Sequence, residues 1–149
     1  MTTIVLDYKR NQIACDSRMS RTNGIYNDCF IKMIEKDGSL FVLTGSTCDM
    51  DYFIENYAKY GKVELKDIEI DCYGILIRNG SAYNVWIHDG VFNEDLIICN
   101  EFAGSGGKFA LAALDFGKTA KEAVEYAATK DCFTGGKVHV YDIEKGVFI

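Results

Sequence analysis

The residue most suited to chemistry in this sequence is Thr2. A threonine hydroxyl is a weak nucleophile at neutral pH and needs a base beside it. An α-amino group can be that base, because it titrates near ~7.7–8.0. A threonine uncovered by removal of Met1 would therefore carry nucleophile and base in one residue. Thr2 is small enough to permit that removal, although it is equally placed to be an ordinary strand residue. Lys32 is the second oddity. It sits in the apolar run Cys29-Phe30-Ile31-Lys32-Met33-Ile34, where an unpaired buried ammonium is costly. The bland alternative is an edge strand that leaves the lysine in water. An ammonium near Thr2 would favour the alkoxide and keep the α-amine neutral by like-charge repulsion. Asp16, otherwise a turn residue, would hold that ammonium in place. Gly45, in Thr44-Gly45-Ser46, leaves room for a substrate backbone and offers an N–H to a tetrahedral oxyanion.

Other motifs carry less. Gly104-Ser105-Gly106-Gly107-Lys108 precedes a helical pattern, but Phe109 follows the lysine and position 102 is Phe. The spacing of a phosphate-binding loop is therefore missing. His88 and His139 lie in strand-like runs with no serine or carboxylate spaced to recruit them, and they read as structural. Cys15, Cys29, Cys48, Cys72, Cys99 and Cys132 form no C-x-x-C pair. Neither a metal site nor a disulfide framework is expected from them, and buried free thiols are the simplest reading. No cofactor is expected.

Several elements must position these residues. Thr2 to Tyr8 is β-branched and apolar, a strand that begins at once, and Gln12 to Cys15 returns beside it. Asp16 to Asn27 reads as polar turns. Cys29 to Ile34 reads as a strand, Lys36-Asp37-Gly38 as a hairpin turn, and Ser39 to Thr44 as its partner. Met50, Phe53, Ile54, Tyr57 and Ala58 recur at helical spacing over Cys48 to Tyr60, with Gly61 as the stop. Ile70 to Arg78 and Ser81 to His88 flank Asn79-Gly80, a strong hairpin signal. Asp89-Gly90 marks another turn, and Leu96 to Cys99 a further strand. Gly106 to Phe116 is an Ala- and Leu-rich helix. Thr119-Ala120-Lys121-Glu122 is a capping box that opens a second helix to about Lys130. Lys137 to Tyr141 and Val147 to Ile149 form a last hairpin. Strands, a helix, more strands, two helices and a hairpin make an α+β domain spanning 1–149, which two helix-covered sheets would satisfy.

Six pieces stand in order: Thr2-Thr3-Ile4-Val5, Ile13-Ala14-Cys15-Asp16-Ser17-Arg18, Lys32 in its strand, Thr44-Gly45-Ser46, Gly104-Ser105-Gly106-Gly107, and Asp131-Cys132-Phe133-Thr134-Gly135-Gly136-Lys137-Val138. Together they resemble the proteasome β subunits and the HslV protease, which are N-terminal-nucleophile hydrolases. The resemblance implies a four-layer αββα sandwich. It implies Thr2 as nucleophile, Asp16 and Lys32 as its charged pair, and the Gly45 N–H as oxyanion donor. Ser105 would contact the threonine amine, and Asp131 and Thr134 would orient the serine and the nucleophile. The implied activity is a threonine-type endopeptidase, inactive while Met1 remains. The alternatives are a non-catalytic scaffold subunit or an amidase for small amides. Implied partners are peptide or unfolded-protein substrates, further copies of the chain, and an ATP-dependent unfoldase. Only Gly61 to Glu69 remains for a second helix after the first, so a shortened first helical layer is expected.

Composition sets the remaining bounds. With 149 residues, 48% of them apolar and 26% charged, one well-filled core is expected. A formal charge of −6 without clustered basic residues argues against a nucleic-acid partner. No run is long enough to span a bilayer and none resembles a secretory signal, so a cytoplasmic protein without a membrane partner is expected.

Overall fold

A computed structural model describes residues 1–60 and 69–149. The first strands are β1 Thr3–Asp7, β2 Gln12–Cys15, β3 Met19–Arg21, β4 Gly24–Asn27, β5 Met33–Lys36 and β6 Ser39–Gly45. Helix α1 Thr47–Tyr60 follows, then β7 Cys72–Arg78, β8 Ser81–His88, β9 Val91–Leu96 and β10 Glu101–Gly104. Helices α2 Gly107–Asp115 and α3 Ala120–Ala128 precede β11 His139–Asp142 and β12 Val147–Phe148.

Two five-stranded sheets, ordered β10-β1-β2-β11-β12 and β5-β6-β7-β8-β9, lie face to face. Their facing sides share one core, in which Ile4, Leu6 and Ile13 meet Met33, Leu40, Val42, Ile75 and Ile77. The alternate residues Val5, Ala14 and Val140 point the other way, onto α2 and α3. Phe41, Leu43, Leu76 and Val85 likewise meet Met50, Phe53 and Ile54 of α1. Both faces of each sheet are therefore covered, which is why the central strands read as unbroken apolar runs. Each fully buried side chain of this size contributes roughly 1.5–3 kcal/mol. The result is a four-layer αββα sandwich. The stretch 61–68, where a second helix of the first layer would lie, and the expected stop at Gly61 fall outside the described residues.

The second sheet is built largely by turns. Asp37-Gly38, Asn79-Gly80 and Asp89-Gly90 each hold two successive positive φ values, 50 and 76, 51 and 73, 50 and 74. That is the two-residue turn whose twist matches its strands. These turns correct two expectations. Lys36 pairs with Ser39, so β5 covers Met33–Lys36 rather than Cys29 to Ile34. Ile87 pairs with Phe92, so β9 ends at Leu96 instead of starting there. Between Asp16 and Asn27, the strands β3 and β4 form a small hairpin where only turns were expected. The expected capping box is present. Thr119 Oγ1 accepts from the Glu122 N–H, and the Glu122 carboxylate accepts from the Thr119 N–H at 2.9 Å.

Candidate active site

The start of β1, the ends of β2 and β10, and the end of β6 meet at one end of the sandwich. Thr3 is paired with Gly104, Ile4 with Cys15, and Gly45 with Cys72. Chain starts usually fray, but Thr2 is 1% exposed because β1 is an interior strand. Gly104 has φ 82, and a Cβ there would overlap the Thr2 carbonyl oxygen. Only glycine lets β10 approach this closely.

Asp16 follows β2 directly and is 1% exposed. Its Oδ1 accepts from the Thr3 N–H at 2.9 Å and from Lys32 Nζ at 2.8 Å. Its Oδ2 accepts from the backbone N–H groups of Gly135 at 3.0 Å and Arg18 at 3.2 Å. Lys32 is 4% exposed. It is therefore neither an edge lysine nor unpaired. Its Nζ also donates to the Met1 carbonyl oxygen at 3.1 Å. That carbonyl is the other half of the Thr2 amide, one carbon from the Thr2 nitrogen. Burial, and next the Lys32 ammonium, push the Met1 α-amine below its ordinary 8.0, while Asp16, Asp131 and Asp71 pull it up.

A chain of hydroxyls lies behind β1. Ser105 Oγ and Thr134 Oγ1 each donate to Asp131 Oδ2 at 2.6 Å. A hydroxyl has one proton, so the 2.5 Å contact between Thr3 Oγ1 and Thr134 Oγ1 has Thr3 as donor. Burial pushes the Asp131 carboxyl up. The Ser105 and Thr134 hydroxyls, the Phe133 N–H and the positive chain start outweigh it and leave the group below its ordinary range. Thr134 thus meets Thr3, one residue beyond the expected nucleophile. A Cβ at Gly106 would strike the Thr3 and Thr134 hydroxyls and lie 3.1 Å from Asp131 Oδ2. Gly106→Ala is accordingly expected to destabilise the fold by about 1–3 kcal/mol, measured as a lower urea midpoint, because three packed polar atoms must move.

Gly45 has φ 120, and a side chain there would collide with the Asp71 carbonyl. It lies where two recesses join. One, of ≈ 230 Å³, is lined by Thr2, Met19, Arg21, Phe30, Lys32 and Met50 among others. The other, of ≈ 790 Å³, is lined by Met1, Asp71, Tyr73, Ser105, Lys108 and Phe109 among others. Met19 and Phe30 give the smaller recess an apolar side.

Two participants escaped the sequence reading. Thr3 bonds both Asp16 and Thr134. Arg18 grips Asp28 with Nε and Nη2 at 2.8 and 3.0 Å, and its Nη1 donates to the carbonyls of Cys132 and Thr134 at 3.1 and 3.2 Å. It thereby ties down the loop that carries Asp131 and Thr134. The signal for Arg18 was its place in the Asp16-Ser17-Arg18 piece. Thr3 carried none beyond being β-branched. His88 and His139 line neither recess. All six cysteines are free, but only Cys15 and Cys72 are buried. Cys29, Cys99 and Cys132 lie between elements and Cys48 is in the first turn of α1, and all four are exposed rather than buried as expected. Among the described residues no group of His, Cys, Asp and Glu could hold a metal ion, and no helix is long and apolar enough to cross a membrane.

These layers are the fold of HslV and the proteasome β subunits, an N-terminal-nucleophile hydrolase fold. No family model matches the sequence. No curated protein matches it either. Solved structures do match. Eukaryotic HslV from Trypanosoma brucei superposes with a TM-score of 0.73 at 18% identity, over 93% of this chain and 97% of the other. BPH from Thiobacillus denitrificans in complex with epoxomicin gives 0.68 at 18% identity, over 94% and 97%. A second structure of Thiobacillus denitrificans BPH gives 0.66 at 18% identity, over 94% and 95%. At this identity the likeness concerns the fold.

Proposed function

We propose that this chain is a threonine-type peptidase whose nucleophile is Thr2 once Met1 is removed. The observation that carries this is the Lys32 ammonium, fixed by Asp16 and bonded to the carbonyl of the Met1–Thr2 amide. Cleaving that amide would leave the Thr2 amine beside the ammonium. The Thr2 hydroxyl then passes its proton to its own α-amine while Oγ attacks the substrate carbonyl carbon. The oxyanion that forms is met by the Gly45 N–H. As the intermediate collapses the C–N bond breaks, and the leaving amine takes the proton from the α-ammonium. Water, deprotonated by the same amine, hydrolyses the ester on Thr2. Ser105 and Asp131 orient the amine, and Thr134 steadies β1 through Thr3.

The base acts only when neutral, so the rate should climb with pH through its pKa and then level off. The Met1 amine already lies below its ordinary value, and Lys32 bonds the carbonyl one carbon from the Thr2 nitrogen. The acidic limb of kcat/KM is therefore expected at a pH below the ~7.7–8.0 of a free α-amine. A limb above that range would contradict the arrangement.

The fold likeness and the recess beside Thr2 support peptide or unfolded protein as substrate. We extend the proposal to a cytoplasmic homo-oligomer served by an ATP-dependent unfoldase. The test compares chains starting at Thr2 with chains that keep Met1, on a casein substrate. The processed chain should release peptides and the blocked chain should not. Equal activity in both would overturn the proposal.

A further inference from the structure

At the end of the sandwich away from Thr2, the two-residue turns of β5–β6 and β7–β8 and the turn before β12 border another recess, of ≈ 440 Å³. It shares no residue with the recesses around Thr2. The length of β6 separates it from Gly45 by roughly 20 Å at about 3.3 Å per residue. Its volume is within the ~300–1,000 Å³ of small-molecule sites.

The floor is apolar. Leu40, Ile77, Tyr141 and Ile143 are all buried members of the core between the sheets. Glu35 is the anomaly. Strand alternation puts it on the same face as Met33, which belongs to that core, and it pairs with Leu40. A closed sandwich would place an apolar residue there. The Tyr141 ring is 8% exposed and packed edge-on against Phe148 at 5.1 Å. Its hydroxyl has no hydrogen-bond partner among the described residues, and none of their buried side-chain oxygens is orphaned, so the hydroxyl is reached by solvent where Tyr141 lines the recess. Glu35 and Tyr141 line the same recess, and burial, then the Glu35 charge, raise the Tyr141 pKa. Glu35 and Asp37 form no ion pair among the described residues, and Lys36 is the single cation in the lining. An apolar floor, a phenol and a carboxylate without a cation partner, under a net acidic rim, are complementary to one ligand chemistry.

We propose that this recess binds a small organic cation, a primary ammonium on an apolar body. The ammonium donates to Glu35 and the Tyr141 hydroxyl, and the body covers Leu40, Ile77 and Ile143. The site lies outside the peptidase machinery and does not depend on it.

Benzylammonium is a suitable probe and benzyl alcohol its uncharged counterpart. Saturation-transfer NMR on the full chain should give a saturable signal for benzylammonium. Loss of one charge-assisted contact should weaken it by about fivefold or more in Glu35→Gln, and loss of a neutral one by about threefold in Tyr141→Phe. Benzyl alcohol should give a signal as weak as that of benzylammonium on Glu35→Gln. Hydrogen exchange should slow at residues 35–40 and 141–146 when benzylammonium is present. Glu35 is exposed, so its variant leaves the core intact, and unchanged unfolding midpoints for both variants verify this. No saturable signal, equal signals from amine and alcohol, an unaffected Glu35→Gln variant, or protection only around Thr2 would each overturn the proposal.

Discussion

Thr2→Ala, in chains cleared of Met1, is expected to lower peptide hydrolysis by roughly 10⁴-fold or more, to the background of the assay. The change removes only the hydroxyl and one methyl group. The α-amine, the Asp16–Lys32 pair at 2.8 Å and the Asp131 cluster are untouched. Stability should scarcely change, since Thr2 precedes β1 and its backbone packing against Gly104 does not involve the side chain. Thr2→Ser keeps a hydroxyl on the same carbon and should retain measurable activity. Loss in alanine with retention in serine, at matched unfolding midpoints, is the signature of a nucleophile. If the alanine chain cleaves peptide at a rate near that of the parent, the chemistry lies elsewhere.

Lys32→Met should be almost as damaging, for two separable reasons. The first is catalytic. Without the ammonium the α-amine loses its repulsive neighbour and Oγ loses stabilisation. Activity should fall by roughly 10²- to 10⁴-fold, and the acidic limb of the pH–rate profile should move upward. The sign follows from like-charge repulsion, the influence Lys32 already has on the Met1 α-amine. The second reason is structural. Asp16 is buried with one of its four donors removed, and an uncompensated buried charge costs about 3–5 kcal/mol. The double variant Lys32→Met with Asp16→Leu separates the two. It should regain stability by removing the stranded carboxylate and regain no activity. Recovery of both would reduce the pair to a structural device.

The contrast between these residues and their neighbours shows what sequence patterns carry. Asn79-Gly80 and Thr119 with Glu122 announce themselves because a turn and a cap are local, each complete within a few residues. The strand expected over Thr2 to Tyr8 was legible because burial on both faces gives Thr3–Asp7 a β-branched and apolar centre. β10 was not, since Glu101-Phe102-Ala103-Gly104 is short, begins with a charge, and is a strand only because β1 holds it in register. The hairpin of β3 and β4 was hidden for the opposite reason. Every residue of β4 is exposed, so no alternation marks it. Ile97 and Ile98 drew the expected strand too far along, although the pairing that matters ends at Leu96.

The candidate site follows the same division. Asp16, Lys32, Gly45, Ser105, Asp131 and Thr134 were singled out through a family pattern, not through any local rule, because their contacts are distant in sequence, as when Asp16 accepts from Gly135, 119 residues on. What no pattern offered was the wiring. Thr134 reaches β1 through Thr3 rather than Thr2, and Arg18 holds the Asp131 loop by carbonyls it could meet only after folding. Lys32 shows how propensity yields to pairing. It belongs to an apolar run that reads as strand, but it lies just before β5 and reaches back to Asp16 and the Met1 carbonyl.

The central claim is that an amine and a hydroxyl freed together at Thr2 form one reactive unit. Intact-mass measurement after incubation with epoxomicin, the ligand solved with Thiobacillus denitrificans BPH, tests it most directly. The chain beginning at Thr2 should gain the mass of one epoxomicin, and both the Thr2→Ala chain and the chain that keeps Met1 should gain nothing. An unmodified Thr2 chain, or an adduct that survives in Thr2→Ala, would contradict the claim.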